Sequence, residues 1–200
     1  IRMVSDGSGG AIIVWEDYRN GPNSDIYAQR IDMYGTPKWD SGGVPVCSWT
    51  GDQKKPVIVG DDTGGAIIAW EDYRDVCPNI FALRISSDTG NPFTGWQSNG
   101  VALSQSSPNS RTSPDIASDG YGGAIITWQE YSGANYLICA QRIQSNATLS
   151  WGPVAKIASQ SMQRQEFPKI ISDGMGYVMI TWQDFRNGSD YDIYAQRLDI

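Results

Sequence analysis

One nine-residue string recurs four times along the chain: AIIVWEDYR at 11–19, AIIAWEDYR at 66–74, AIITWQEYS at 124–132 and VMITWQDFR at 178–186. Its tryptophans, Trp15, Trp70, Trp128 and Trp182, are spaced by 55, 58 and 54 residues. A fixed period of this length marks one supersecondary unit repeated in tandem, each copy burying its apolar face on the next. The units run 1–55, 56–113, 114–167 and 168–200. They are expected to form one domain over 1–200, either whole or as a segment of a longer protein.

Within a unit the pattern is that of strands. A short apolar stretch comes first (IRMV, PVIV, PDIA, PKII), with Pro56, Pro114 and Pro168 at the unit start. A turn follows (SDGSGG, GDDTGG, SDGYGG, SDGMGY), rich in residues that tolerate a positive φ. The run AIIVW is too short for a helix and is bounded by glycine turns. After a polar loop comes a second strand (DIYAQRI, NIFALRI, LICAQRI, DIYAQRL), then a Gly-rich stretch with Trp39, Trp96 or Trp151 and a GV or PV strand start. The first copy thus predicts strands A to D near 1–4, 10–19, 25–32 and 43–47. The chain is rich in Gly (22) and Pro (10), as a turn-rich β protein requires.

A meander whose middle strands are apolar on both faces must pack between neighbours. The expected fold is all-β: a β-propeller of four ~55-residue, four-stranded antiparallel blades, the last lacking its outer strand. Four blades around one axis are expected, because an open arc would expose an apolar face at each end. The order Pro-x-Ile-x-Ser-Asp-Gly, apolar strand, Asp-x-Arg-Asn-Gly, Asp-Ile-Tyr resembles the TolB-type (WD40-like) propeller repeat. Residues 168–199 match it best. The resemblance covers strands A–C of every copy and departs from the family in the fourth strand. It implies blade architecture and carries over neither a partner nor an activity.

The copies act as mutual controls, since a residue present in all of them serves the fold most economically. Trp15, Asp17 and Arg19 alternate by two and share one strand face, as do their counterparts. The neighbours Glu16 and Asp17 point to opposite faces and cannot share a substrate as a glycosidase acid pair would. Arg19 with Asp25, and Arg186 with Asp192, are expected to bridge the B–C hairpin. The third copy has Ser132 and Leu137 at these positions and loses both members together. Asp6, Asp61, Asp119 and Asp173 recur in the A–B turn, where a carboxylate caps the turn better than it ligates calcium.

Composition excludes several function classes. Fifteen basic residues stand against 22 acidic, for a net charge of −7, with no basic stripe to track phosphates. Neither nucleic acid nor membrane insertion is expected, and no apolar run approaches ~20 residues. The chain has no histidine, which removes Ser-His-Asp and Cys-His catalysis and His-ligated metals. No metal site and no cofactor are implied. Cys47, at the end of strand D, and Cys77, in the next B–C loop, lie at the same end of adjacent blades and are expected to form a disulfide. Asn146 and Asn187 head N-glycosylation sequons. The opening IRMVSDG reads as mid-domain sequence.

The B–C loops and D-to-A connections share one end of the fold and carry the variable segments, including 104–113 and 159–167. That end is the expected interaction face for a protein or glycan partner, with Trp49, Tyr136 and Tyr191 as binding residues. These features lead to a non-catalytic, extracellular or cell-surface binding module as the first reading. A structural domain that self-assembles is the second. An enzyme of the glycosidase kind, using the non-repeating acids Asp115 and Glu166, is the third.

Overall fold

The computed structural model describes residues 1–105, 108–152, 156, 157, 159 and 163–200. Parts of the two variable connections, at 106–107 and 160–162, and the PV strand start at 153–154 lie outside the described residues. Among these residues the chain is all β, with no helix. The strands are β1 (Arg2–Ser5), β2 (Ala11–Asp17), β3 (Asp25–Ile31), β4 (Val44–Cys47), β5 (Gln53–Gly60), β6 (Ala66–Asp72), β7 (Asn79–Ile85), β8 (Val101–Ala102), β9 (Ser110–Ser118), β10 (Ala124–Tyr131), β11 (Tyr136–Ile143), β12 (Lys156–Ile157), β13 (Gln165–Ser172), β14 (Tyr177–Asp184) and β15 (Asp192–Asp199). They form antiparallel meanders in chain order: sheet 1 is β1–β4, sheet 2 β5–β8, sheet 3 β9–β12 and sheet 4 the three strands β13–β15.

Local chemistry sets the hairpins. In the A–B turn of sheet 1, Asp6 Oδ1 accepts from the N–H groups of Ser8 and Gly10, both at 2.8 Å, while Oδ2 pairs with Arg30. Asp119 repeats this with Tyr121, Gly123 and Arg142. The glycine before strand D is there for space. A Cβ on Gly43 or Gly100 would fall 2.6 or 2.5 Å from the ring of Trp15 or Trp70, at a φ near +88° or +86°.

The sheets stack face to face in sequence, 1 on 2, 2 on 3 and 3 on 4. Ile12 and Val14 of β2 are fully buried on the side facing sheet 2, and Ile68 and Trp70 of β6 are fully buried on the opposing face. Ile125, Ile138, Ala140, Val178, Ile180 and Trp182 form the layer between sheets 3 and 4. The third side chain on each forward face makes the same bond. Glu16 accepts from the backbone N–H of Lys55 (2.8 Å), Glu71 from Ser113 (2.7 Å) and Gln129 from Phe167 (3.0 Å). Each donor precedes the proline of a first strand and is held in left-handed geometry, with φ of 50°, 57° and 53°. That conformation is costly for a residue with a side chain. It points the N–H at the preceding sheet. At the other end, the Trp39 and Trp96 indole N–H groups reach the next sheet's Ser87 and Ser145 carbonyls, both at 2.9 Å.

The repeated Trp-x-Asp-x-Arg string is a structural device. Trp15 Nε1 donates to Asp17 Oδ2 at 2.8 Å, and Arg19 Nε returns to Asp17 Oδ1 at 2.8 Å. The guanidinium then lies 4.1 Å from the Tyr27 ring centroid. Trp70, Asp72, Arg74 and Phe81 repeat the set, as do Trp182, Asp184, Arg186 and Tyr194.

Three expectations are corrected here. Arg19 does not bridge to Asp25, nor Arg186 to Asp192. β2 ends at Asp17, directly opposite Asp25, so Arg19 lies past the strand and folds back on its own-strand carboxylate. Asp25 and Asp192 accept instead from Asn20 and Asn187. The joint loss in sheet 3 involves a different pair: Ser132 replaces the arginine, Cys139 replaces the aromatic ring beneath it, and Glu130 pairs with Arg111. The Trp128 indole N–H there is buried with no partner in the described structure. The disulfide is not formed either. Cys47 is buried against Asp72 and Arg74, Cys77 turns toward the Pro108 carbonyl, and both are free thiols. Nor are the outer faces of the first and last sheets covered by each other among the described residues: Met3 of β1 and Ile171 and Ile193 of sheet 4 are exposed.

Removing a buried acceptor strands its donor, at a cost of about 1–3 kcal/mol. Glu71→Ala is therefore expected to lower stability by about 2 kcal/mol in a denaturant titration. Glu71→Gln is expected to lose less than half of that, because Gln129 makes the same bond with an amide. Burial pushes the Cys47 and Cys139 thiols up to about 12. One thiol, Cys77, is expected to react with a disulfide reagent in the native protein, and three in denaturant. The bonds from Arg19 hold Asp17 well below the usual carboxylate range. At Asp184 burial pushes the other way, but the bonds from Arg186 and Trp182 outweigh it. A depressed folded value means stability that is present above the unfolded value of about 3.9 and lost as pH falls through the folded one. With no histidine to titrate, the thermal midpoint is expected to change little from pH 7 to about 5 and to drop below about pH 4; an unchanged midpoint at pH 3 would contradict this.

Candidate functional site

The first strands β1, β5, β9 and β13 begin at one end of the stack, around a cavity of about 390 Å³. Four positions in repeat register line it: Arg2, Val57, Asp115 and Lys169. The left-handed residues Lys55, Ser113 and Phe167 complete the wall, joined by Glu16 from β2. The cavity therefore holds two carboxylates from non-adjacent sheets, three cationic side chains and an aromatic ring, Phe167, that is 54% exposed.

Among the described residues both carboxylates keep one oxygen free. Glu16 Oε1 accepts from Lys55 N, and its Oε2 has no partner among the described residues. Asp115 Oδ2 accepts from Ile170 N at 3.1 Å and lies 3.7 Å from Lys169 Nζ, leaving Oδ1 open. Asp115 replaces Arg2, Val57 or Lys169 of the other copies, so no repeat role explains it. Glu16 serves the inter-sheet bond with one oxygen and faces the cavity. Its counterpart Glu71 is fully enclosed, holding Ser113 N, Tyr73 Oη and Lys55 Nζ. Asp17 points away from Glu16, bound to Trp15 and Arg19.

The other acid named from the sequence, Glu166, sits beside the cavity but is engaged. It is 5% exposed, pairs with Arg164 and accepts from Tyr191 Oη at 2.8 Å. That bond raises the Tyr191 phenol above its ordinary value. Arg164 also lies 5.5 Å from the Tyr136 ring, so two of the three expected binding aromatics come together around Glu166. Trp49 stands apart, half exposed, over Arg74 of sheet 2. Asn146 and Asn187 are exposed, each with its side-chain oxygen used in a local turn. Among the described residues no group of three or more acidic, Cys or His side chains could hold a metal ion.

Sequence reasoning missed Phe167, Lys55 and the cavity role of Glu16. The available signal was the residue before each unit-start proline, which varies from Lys to Ser to Phe in an otherwise uniform frame.

No protein-family model matches the chain, and no curated protein matches it in sequence. Solved structures do match in fold. A Dyadobacter fermentans protein of unknown function aligns with a TM-score of 0.63 at 16% identity, over 99% of this chain and 52% of its own. An α-L-arabinanase of Penicillium chrysogenum, solved with arabinobiose, aligns with a TM-score of 0.58 at 17% identity, over 99% of this chain and 56% of its own. The chain thus spans about half the length of these structures. The likeness corrects the expected TolB-type family: the fold is shared with an arabinanase. Strands A–C resemble the TolB repeat because apolar strands between Asp-Gly turns suit any radial meander, and the fourth strand is where the two part. The likeness also overturns the reading as a non-catalytic module and the expectation of no enzymatic activity, since this is an enzyme-like fold.

Proposed function

We propose that this chain is four consecutive blades of a β-propeller glycoside hydrolase, its repeats 1–55, 56–113, 114–167 and 168–200 each supplying one blade, and that it cleaves a glycan at the cavity ringed by the first strands. The observation that carries the proposal is the convergence of Glu16 and Asp115 on that cavity, each with one oxygen open. Glycoside hydrolysis needs two carboxylates flanking the scissile bond, one giving a proton and one acting in its charged form. Asp115, with a backbone N–H and a lysine beside it, is assigned the second role. Glu16 then delivers a proton from Oε2 to the leaving oxygen as the glycosidic C–O bond breaks, and water adds to the anomeric carbon and gives its proton to Asp115, while Glu16 Oε1 stays fixed on Lys55 N. Phe167 offers an apolar face to a sugar ring. A polymeric glycan is met outside the cell, so an extracellular location goes with this reading.

The test is reducing-sugar release by the full polypeptide on a polysaccharide panel, starting with arabinan because the arabinanase likeness makes it the first candidate. Asp115→Asn and Glu16→Gln are each expected to cut turnover by about a hundredfold or more without shifting the melting temperature. The glutamine keeps the bond to Lys55, as Gln129 does to Phe167. Turnover that survives Asp115→Asn, or none on any glycan, would overturn the proposal.

A further inference from the structure

A second concavity lies at the same end of the fold. It has a volume of about 300 Å³ and is formed by the loop between β2 and β3 and the connection from β4 to β5. Its walls include Asn20, Asn23, Asp25, Ser48, Trp49 and Thr50. We propose that this cleft binds a neutral sugar unit of a glycan chain, as a subsite separate from the catalytic cavity; the proposal rests on the glycan reading above for its role, but not for its chemistry.

Trp49 is the one tryptophan of eight that stands off the repeat. It is 51% exposed, although an indole is normally spent on burial. It is held in place: the Arg74 guanidinium lies 5.4 Å from its ring, itself bound to Asp72 and stacked on Phe81 at 3.8 Å. A fixed, solvent-facing indole suits the C–H face of a sugar ring.

The polar lining selects the ligand further. The side chains of Asn23, Ser48 and Thr50 have no hydrogen-bond partner among the described residues, and Asp25 uses only Oδ2, on Asn20. Amide, hydroxyl and carboxylate groups around one indole match the paired hydroxyls of a sugar. No lysine or arginine lines the cleft, and Asp25 repels anions, which disfavours phosphate, sulfate and uronate. A protein partner would call for apolar surroundings to its anchor, and here the indole is ringed by polar groups. Sheet 4 repeats the hairpin half of this cleft, with Asn187 donating to Asp192 at 3.0 Å; in sheet 1 the connection from β4 to β5 adds Trp49.

The experiment is affinity electrophoresis of the full polypeptide in gels containing arabinan, xylan or mannan, with Trp49→Ala and Asn23→Ala. Both residues are on the surface, and a circular dichroism melt checks the fold. Retention by at least one neutral polysaccharide is expected, weakened about tenfold by Trp49→Ala and measurably by Asn23→Ala. Asp115→Asn is expected to keep that retention. If turnover is present, KM on the polymer is expected to rise about tenfold more than KM on a small aryl glycoside. Retention unchanged by Trp49→Ala, retention by none of the polysaccharides, or Trp49-dependent capture of a protein alone would each overturn the subsite. Trp49-dependent retention without any turnover would uphold the subsite and remove the catalytic proposal.

Discussion

The hydrogen bond from Lys55, Ser113 and Phe167 to Glu16, Glu71 and Gln129 fixes how one sheet meets the next. Apolar faces alone are non-directional and would let neighbouring sheets slide. The bond ties the end of one second strand to the entry of the following first strand, three times over. It also holds the donor in a conformation that residues with side chains avoid. Because the donors sit at the strand entries, the same bond shapes the cavity wall. Spacing, strand entry and cavity are one piece of geometry.

The Trp-x-Asp-x-Arg string works at right angles to this, within a sheet. The indole, the carboxylate and the guanidinium neutralise one another's polar groups, so a large ring enters the core without leaving its N–H unpaired. Sheet 3 shows what the string is for. There the arginine and its aromatic floor are both gone, Glu130 turns to Arg111, and the Trp128 N–H has no partner among the described residues. Sheet 3 is also the source of Asp115. The copy that departs most from the structural pattern contributes a cavity carboxylate that the other copies lack at this position.

Much of the fold was legible because its signals are local. Glycine turns bracketing β-branched runs placed β1 to β4 within a residue or two of their observed ends. The errors have physical causes: alternation along a strand says which face a side chain takes, but not where the strand stops. Arg19 was paired with Asp25 on the assumption that β2 ran to residue 19, and it stops at Asp17. Cys47 and Cys77 were matched by shared end alone, which says nothing of side-chain direction. The cavity was harder still, since Lys55, Ser113 and Phe167 share a backbone angle rather than a side-chain chemistry.

The enzyme reading was placed last from the sequence because no acid pair was visible, and the reason is physical. Glu16 looks like a repeat residue, and it is one. Its bond to Lys55 uses a single oxygen, which an amide supplies equally well in the Gln129 copy. A carboxylate is therefore surplus to the fold at this position, and only its second oxygen distinguishes it. In sheet 2 that surplus is absorbed, because Tyr73 and Lys55 close over Glu71. In sheet 1 no described residue closes over Glu16 in this way, and it faces the cavity with Asp115. One repeated position thus yields an enclosed acid in one copy and a cavity-facing one in another, and what separates them is enclosure rather than identity.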